Sequence, residues 1–189
     1  MGEDGGEVFS LYANYYDALY QDKDYEAECD FAERLLSKHA KEDVRTILDL
    51  DSGTGGHAIP LARRGCEVAG AYRSEAMITL ARGKAKAEGV ALNLHQDDVR
   101  TVDLKTTFDV VLFMFAVIAY QATNADLVAA LRTGRRHLEL GGLLIFDSWY
   151  GPAVLRNPPT DRIKVINSRD DDSRIIRINR THCATSYGI

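Results

Sequence analysis

The chain lacks a cysteine framework and a long apolar run, and each absence excludes a class of protein. Its three cysteines, Cys29, Cys66 and Cys183, are widely spaced, so neither a disulfide scaffold nor a cysteine-based zinc site is predicted. No apolar stretch reaches the length of a membrane span, and residues 1–7 are acidic and glycine-rich rather than signal-like. We therefore expect a protein of the reducing cytoplasm with no membrane partner.

Basic runs are also missing, which argues against a nucleic-acid partner. The net charge is −5, and lysines and arginines are scattered among acidic residues. The one short basic cluster, Arg132 to Arg136, has the spacing of a solvated helix face. His182 and Cys183 are adjacent, but no second pair of this kind is near them, so no metal site is predicted.

One glycine-rich stretch stands out among what the sequence does contain. The β-prone run 46–50 is followed by Gly53, Gly55 and Gly56, and then by apolar residues at helical spacing. Such a strand, tight loop and helix can hold a nucleotide-like cofactor, because glycines allow positive φ and close approach of a ligand. A strand-to-helix turn can also be rich in glycine for steric reasons alone. A cofactor-binding loop and a purely structural turn are therefore both open interpretations at this point.

Strands and helices alternate after this loop. With 189 residues, 46% of them apolar, one core is expected. Asp24 and Ser74 are positioned to cap helices, and Asn124 is predicted to cap a third that extends to Leu138. The predicted strands are 46–50, 67–72, 91–95, 108–114 and 143–146. This order indicates an α/β fold with a doubly wound, mostly parallel sheet, and ligands of such sheets bind beyond the carboxyl ends of the strands.

The predicted carboxyl ends carry acidic and aromatic residues, which favours a cationic or hydroxyl-rich ligand over a pyrophosphate. Five of the nine tyrosines lie between residues 12 and 25, as in an aromatic lid over a pocket. The alternative is a helix that packs on the domain through an aromatic face. The rim acids are Asp49, Asp51, Asp97, Asp98 and Asp147.

Several motifs in fixed order resemble one family. Ile-Leu-Asp-Leu-Asp-Ser-Gly-Thr-Gly-Gly-His-Ala is followed by Gly-Ala-Tyr-Arg-Ser-Glu-Ala-Met, His-Gln-Asp-Asp-Val-Arg, Phe-Asp-Val-Val-Leu-Phe-Met-Phe and Leu-Glu-Leu-Gly-Gly-Leu-Leu-Ile-Phe-Asp. Together they resemble the class I S-adenosylmethionine-dependent methyltransferases. With Tyr-Tyr-Asp-Ala-Leu-Tyr and Lys-Asp-Tyr near the start, the chain is most similar to small-molecule N-methyltransferases, including those that act on amino sugars.

The resemblance implies S-adenosyl-L-methionine as cofactor, S-adenosyl-L-homocysteine as product and a small-molecule amine as acceptor. Tyr120 and Tyr15 would be the catalytic tyrosines, and Asp98 would accept from the adenine amino group. It divides the chain into a flexible tail (1–7), a methyltransferase domain with an aromatic lid (8–150) and a β-hairpin extension (151–189). The implied cofactor-binding residues are Tyr16, Tyr25, Asp49, Asp51, Gly53, Gly55, His57, Tyr72, Arg73, Met77, Asp97, Asp98, Val99 and Phe115.

Two exchanges separate this chain from the family pattern. Asp51 stands where the family has a glycine, and Tyr72 stands where it has an acid for the ribose hydroxyls, so weaker cofactor binding is expected. A methyltransferase-like binding protein without turnover is therefore an alternative. An NAD(P)-dependent oxidoreductase is a further one, ranked last, because Gly53-x-Gly55-x-x-Ala58 also fits the dinucleotide fingerprint.

The end of the chain departs from the family as well. Family members continue beyond the fifth strand into further strands, whereas here a hairpin of residues 162–167 and 174–180 is predicted. The outer edge of the fifth strand would then be unpaired, a condition that invites pairing with another chain. On this ground we expect either a homodimer through the C-terminal strands or a fragment that is less stable than a longer parent chain.

Overall fold

A five-stranded parallel sheet forms the centre of the first of two structural units. The computed structural model describes residues 12–13, 15–167 and 174–181. The chain divides into the units Met1–Ser148 and Trp149–Ile189. The strands of the first unit lie in the order β3-β2-β1-β4-β5, all in parallel pairs. Their bounds are β1 Thr46–Leu50, β2 Glu67–Tyr72, β3 Leu92–Gln96, β4 Phe108–Phe113 and β5 Leu138–Phe146.

Helices precede and connect these strands, and three of them begin at a side-chain cap. Residues 15–19 are helical and form α1. The Asp24 carboxylate accepts from Ala27 N at 2.9 Å, and the Ser74 hydroxyl accepts from Met77 N at 3.5 Å, as predicted for two helix starts. The further helices are α2 Tyr25–His39, α3 Ala58–Arg63, α4 Glu75–Ala87, the 3₁₀ helix Val117–Tyr120 and α5 Asn124–Arg136.

Alternate residues of the central strands supply the cores on the two faces of the sheet. Leu48 and Leu50 of β1 belong to one buried cluster, whereas Ile47 belongs to another. This division follows from the period of two along a strand. A strand covered on both faces must be apolar throughout, and the residues of β4 from Val110 to Phe113 are all buried. The predicted doubly wound α/β fold is therefore confirmed.

The boundary predicted near residue 138 was wrong. Helix α5 ends at Arg136, and Leu138 already begins β5, whose range includes Gly141 and Gly142. Leu138 has the helical spacing but pairs with Phe108, and a register irregularity follows between Phe108 and Val110. The capping residue of α5 is Thr123 rather than Asn124, because the Thr123 hydroxyl accepts from Asp126 N at 3.1 Å. Strand β3 is shifted by one residue at both ends relative to the predicted range, and β4 and β7 each end one residue earlier than predicted.

The second unit contains the predicted hairpin and a short helix that was not predicted. Helix α6 spans Gly151–Arg156, and strands β6 Arg162–Asn167 and β7 Arg174–Asn179 pair antiparallel. Cross-strand pairs such as Val165 and Ile176 leave β-branched side chains more than half exposed. The predicted turn 169–172, the predicted tail 1–7 and the His182–Cys183 pair lie outside the described residues. Within the described residues, no helix is long and apolar enough to cross a membrane.

Two helical glycines predict opposite effects of the same substitution. A Cβ on Gly134 of α5 would lie 2.8 Å from both Leu144 Cδ1 and the Phe113 ring, whereas one on Gly83 of α4 would meet nothing within 4 Å. Gly134→Ala should therefore lower the free energy of unfolding by about 1–3 kcal/mol through overpacking. Gly83→Ala should raise it by about 0.5–1 kcal/mol through helix propensity. Urea unfolding of both variants measures the contrast, and equal effects at the two positions would contradict the packing of α5 on β4 and β5.

Candidate functional site

The chain leaves β1 through a glycine loop at the carboxyl edge of the sheet. Asp51 has φ 74°, Gly53 φ 56° and Gly55 φ 83°. A Cβ on Gly55 would lie 3.0 Å from Ile59 Cδ1, so this glycine is required by close packing as well as by its backbone angle. At Gly53 the nearest heavy atom to such a Cβ is the Tyr16 hydroxyl, at 4.0 Å. Space therefore remains between the Gly53 backbone and the Tyr16 hydroxyl.

Carboxyl groups lie beside this loop in an environment of low polarity. Asp49 is 1% exposed, and burial raises the pKa of its carboxyl to about 6 although His57 opposes the shift. Burial, followed by the charges of Asp49 and Asp98, raises the pKa of Asp51 to about 7, with Arg73 opposing. Among the described residues, Asp49 Oδ2 and Ser52 Oγ are buried without a hydrogen-bond partner. Unpaired buried polar atoms of this kind are costly and are concentrated at functional sites.

The tyrosines predicted to form an aromatic lid contact one another and the opposite side of the rim, an arrangement that fits both a lid and a helix packed through an aromatic face. The ring centroids of Tyr16 and Tyr20 are 4.8 Å apart, and those of Tyr20 and Phe115 are 5.1 Å apart in an edge-to-face arrangement. Tyr12 packs edge-to-face on Tyr16 at 5.7 Å. Burial raises the pKa of Tyr16 above its ordinary value, so its hydroxyl stays protonated as a donor. Residues 12–25 therefore place a stack of rings between the loop after β1 and the loop after β4.

Tyr25 connects this lid to the loop from the side of α2. Its ring lies directly against Gly56, where any Cβ would collide with it, and packs edge-to-face on His57 at 5.0 Å. His57 Nε2 is 2.7 Å from Glu28 Oε2, and Glu28 also pairs with Lys23. The hydrogen bond with His57, helped by Lys23 against the effect of burial, lowers the pKa of Glu28 to about 2. A charged network therefore lies directly beneath the lid.

The Lys23 ammonium lies over aromatic faces of the same lid. Its Nζ is 4.2 Å from the Phe115 centroid and 5.1 Å from the Tyr25 centroid. Cations are attracted to such faces by the ring quadrupole. The position beside Phe115 therefore accommodates positive charge.

A second contact fastens α1 to the loop and to α4. The Asp17 carboxylate accepts from the Thr54 hydroxyl at 2.6 Å and from Lys84 Nζ at 3.0 Å. Lys84 Nζ also donates to the Thr54 hydroxyl at 3.1 Å. These three residues and the pair Lys23 and Glu28 were not among the predicted site residues. Their separations in sequence are as large as 67 residues, so no local pattern indicates the contacts.

Two consecutive residues after β4 adopt left-handed backbone angles. Phe115 has φ 73° and Ala116 φ 59°, and neither is a glycine. Asp147, at the end of β5, fixes this turn because its Oδ1 accepts from Ala116 N at 2.8 Å. Unfavourable angles held by their surroundings are typical of functional sites. The turn aims the Phe115 ring at Tyr20.

The rim at β2 and β3 contains a second charge cluster. Asp98 accepts from Arg100 through Nε at 2.9 Å and Nη2 at 2.7 Å, and Arg73 Nε is 3.5 Å from it. The Arg100 bonds lower the pKa of Asp98 to about 2. Asp97 Oδ1 accepts from Asp98 N at 2.7 Å, as in a turn. Burial raises the pKa of Tyr72 to about 12, and the charges of Asp51 and of Tyr120 and Tyr20 act in the same direction, so Tyr72 lies near these residues.

The structure brings most of the predicted residues to this rim, and a few lie elsewhere. Tyr120, 76% exposed on the 3₁₀ helix after β4, lies near Tyr72 at the rim, whereas Tyr15 is 46% exposed on α1. The side chains of Met77, in the first turn of α4, and Val99, in the core, are buried. The residues brought together at the rim are Tyr16, Tyr25, Asp49, Asp51, Gly53, Gly55, His57, Tyr72, Arg73, Asp97, Asp98 and Phe115.

A large cavity of about 570 Å³ lies away from this rim. Val44 and Ile47 line it, together with Cys66, which directly precedes β2. These residues belong to the amino ends of the strands, opposite the glycine loop. Parallel sheets bind ligands at the carboxyl ends, so the rim rather than this cavity is the candidate functional site.

Comparison with known proteins agrees with the geometry. Residues 47–142, half of the chain, match the family model of a methyltransferase domain. A sugar N-methyltransferase structure from Streptoalloteichus sp. is 30% identical with a TM-score of 0.79, over 97% of this chain and 69% of that one. An S-adenosylmethionine-bound amino pentose methyltransferase from Micromonospora is 30% identical with a TM-score of 0.70, over 86% and 66% of the two chains.

Named relatives indicate the same class. A dTDP-3-amino-3,4,6-trideoxy-alpha-D-glucopyranose N,N-dimethyltransferase of Streptomyces venezuelae is 33% identical over 144 residues. That alignment includes 75% of this chain and 58% of the relative, so the chain spans less than two thirds of its length. The fold is that of a class I S-adenosylmethionine-dependent methyltransferase. The chain belongs to this methyltransferase family and resembles its amino-sugar N-methyltransferases.

The buried Asp49 carboxyl predicts a pH dependence of stability. Its pKa is raised from 3.8 to about 6, so between roughly pH 4 and 6 the folded chain retains a proton that the unfolded chain releases. Its contribution to stability therefore falls as the pH rises through this window and stays low above it. Relative to the parent, Asp49→Asn should gain about 1–3 kcal/mol of unfolding free energy between pH 4 and pH 7, measured by denaturant titration.

Asp109 provides a control of opposite sign. Burial opposes the shift, but the backbone N–H groups of Arg45 and Thr46 donate to Asp109 Oδ2 and lower its pKa. Its stabilisation is present above its unfolded pKa and is lost as the pH falls, so Asp109→Asn should lose stability relative to the parent on going to neutral pH. A pH-independent difference for Asp49→Asn would contradict the burial of its charge.

Proposed function

We propose that this chain binds S-adenosylmethionine at the carboxyl edge of the sheet and methylates the amine of a small molecule. Nucleotide-linked amino sugars are the first candidate acceptors, because several relatives carry names of dTDP-amino-sugar N,N-dimethyltransferases. The observation that carries the proposal is the accessible Gly53 backbone facing the hydroxyl of Tyr16, in a chain of the methyltransferase family.

The residues of the rim fit the chemical groups of this cofactor. Gly53 and Gly55 leave the loop backbone accessible to the methionine part, and the unpaired atoms Asp49 Oδ2 and Ser52 Oγ are buried beside this loop. The face of Phe115 attracts cations through its quadrupole, and the positive sulfonium would take this position in place of the Lys23 ammonium, because two cations repel each other. Each requirement is met by described residues at one edge of the sheet.

The protein's contribution to catalysis is alignment and exclusion of water. When bound, the cofactor supplies an electrophilic methyl group, which leaves a neutral thioether as the new C–N bond forms and the amine proton passes to solvent. Tyr16, Tyr20 and Phe115 exclude water from the loop. Of the two predicted catalytic tyrosines, Tyr120 lies near Tyr72 at the rim, and we assign its hydroxyl to holding the amine in line with the bond that breaks; the role of Tyr15 stays a prediction from the sequence.

The alternatives are weaker at this rim. For a dinucleotide, Asp49, Asp51 and Asp98 would repel a pyrophosphate, and the closest charged partner of Asp98 is already Arg100. A binding protein without turnover remains a second candidate because Asp51 occupies a left-handed position at the glycine loop. Ligand binding distinguishes an oxidoreductase from a methyltransferase and from a methyltransferase-like binding protein. Turnover then distinguishes the methyltransferase from the binding protein.

Calorimetric titration tests the cofactor assignment. The parent chain should bind S-adenosylmethionine and S-adenosylhomocysteine in the micromolar range usual for enzyme ligands, and it should not bind NAD measurably. Two variants of the site are Tyr16→Phe and Gly53→Val. Gly53→Val should abolish binding, because φ is 56° at this position and a β-branched residue does not tolerate that angle. Binding of NAD in preference to both sulfur ligands would overturn the proposal.

Removal of single hydroxyls tests the catalytic assignment. Tyr120→Phe and Tyr15→Phe keep the ring, so melting temperatures should change little while kcat falls about five- to tenfold, the effect of one lost hydrogen bond. Methylation of an amino-sugar nucleotide, followed by mass spectrometry, provides the rate. If both variants methylate at the parent rate, these two tyrosines are structural.

A further inference from the structure

Five carboxylates lie at the rim, and their contacts differ sharply. Asp98 already accepts from Arg100, Asp97 accepts from Asp98 N, and Asp147 accepts from Ala116 N. Asp49 is 1% exposed beneath the loop. Asp51 alone is both partly accessible and without a hydrogen bond to its carboxylate among the described residues.

The position of Asp51 is fixed by the pairing of β1 with β2. The last pair of the register is Leu50 with Ala71, and Asp51 N, in the turn that follows, donates to Ala71 O at 2.8 Å, next to Tyr72 in the chain. Tyr72 is close enough for the Asp51 charge to raise the pKa of its hydroxyl. The Asp51 carboxylate therefore lies at the junction of the two strand ends, next to the end of β2.

A second observation at the same place indicates a ligand. Asp49 Oδ2, which is buried and has no partner among the described residues, is near enough for its charge to raise the pKa of Asp51. Asp51 itself combines a raised pKa with a left-handed backbone that costs most residues other than glycine on the order of 1 kcal/mol. Unfavourable features of this kind are typical of functional sites, and contact of the Asp51 carboxylate with a ligand would account for them here.

The cofactor of the proposed function carries a vicinal diol on its ribose. Two neighbouring hydroxyls are donors that one carboxylate can accept together, because it offers two oxygens with about four lone-pair sites. An acid at this edge of the sheet serves the ribose in the dinucleotide-binding folds as well.

We propose that the Asp51 carboxylate accepts hydrogen bonds from both ribose hydroxyls of the cofactor. The inference rests on the proposed function and names the residue that determines recognition of the sugar. The acid that binds the ribose then lies at the end of β1. In the family pattern this acid lies at the end of the adjacent strand β2, where this chain has Tyr72. The acid gained at position 51 then compensates for the acid that is missing at position 72. On this proposal the cofactor binds as tightly as in the family pattern, in contrast to the weaker binding expected from the sequence.

A binding cycle tests this directly with S-adenosylhomocysteine and its 2′-deoxy and 3′-deoxy analogues. Calorimetry should show that each missing hydroxyl weakens binding to the parent about tenfold and that Asp51→Asn weakens binding of S-adenosylhomocysteine at least tenfold. In Asp51→Asn the deoxy penalty should shrink to about twofold, because the two changes remove the same contact. Asparagine tolerates positive φ, so this variant is expected to keep the parent melting temperature.

Two further variants complete the design. Asp103→Asn removes the same charge in the loop leading to the amino end of β4, where Asp103 pairs with Lys105, and should bind all three ligands as the parent does. Asp51→Gly should lose affinity, and adding Tyr72→Asp should restore most of it by returning an acid to the adjacent strand.

The outcomes separate this inference from the proposed function. If the parent binds S-adenosylhomocysteine and Asp51→Asn shows the full deoxy penalty, the inference is wrong and the proposed function stands. If the parent does not bind S-adenosylhomocysteine at all, both are overturned. In a chain that binds, coupling between Asp51 and the hydroxyls, measured as the loss of the deoxy penalty in Asp51→Asn, supports the inference.

Discussion

Strand β1 is paired on both edges, with β2 through five residues and with β4 through three. This double pairing determines where the loop after Leu50 leaves the sheet. The Asp109 carboxylate reinforces it at the opposite end, because it accepts from the backbone of Arg45 and Thr46 and from the Thr46 hydroxyl. Since strand order reverses at the β1 and β4 pair, the loop opens at the point where doubly wound sheets bind ligands.

The lid depends on this loop but is held to it by weak contacts. Asp17 and Lys84 are about half and a third exposed, and pairs of this exposure contribute about 0–1 kcal/mol. The ring contacts of Tyr16, Tyr20 and Phe115 are stronger because they bury apolar surface. The ring contacts therefore contribute more than the exposed Asp17–Lys84 pair to holding these tyrosines against the loop.

The sequence predicts the fold well because its signals are local. Alternation of strand and helix, the caps at Asp24 and Ser74 and the continuous apolar residues of β4 each depend on neighbouring positions. The end of α5 was predicted wrongly because Leu138 has helical spacing, and its pairing with Phe108 from a distant strand overrides that pattern. The spacing of apolar residues along the chain contains no information about a pairing partner on a distant strand.

The site is predictable in part for the same reason. The glycine loop and the tyrosine cluster are visible as runs, whereas the contacts among Asp17, Thr54 and Lys84 join three separate elements. The left-handed angles of Phe115 and Ala116 likewise have no signature, since neither residue favours them. At Asp51 the sequence shows an exchanged residue, and only the pairing of β1 with β2 shows that the exchange places the acid beside Tyr72.

A crystal structure of the chain with S-adenosylhomocysteine would test the account most directly. The account predicts the ligand at the carboxyl edge of the sheet, with its amino acid part over Gly53 and Gly55, its ribose hydroxyls within hydrogen-bond distance of Asp51 and its sulfur near Phe115. A ligand bound in the cavity at the amino ends of the strands, or at the rim with its ribose turned away from Asp51, would contradict it.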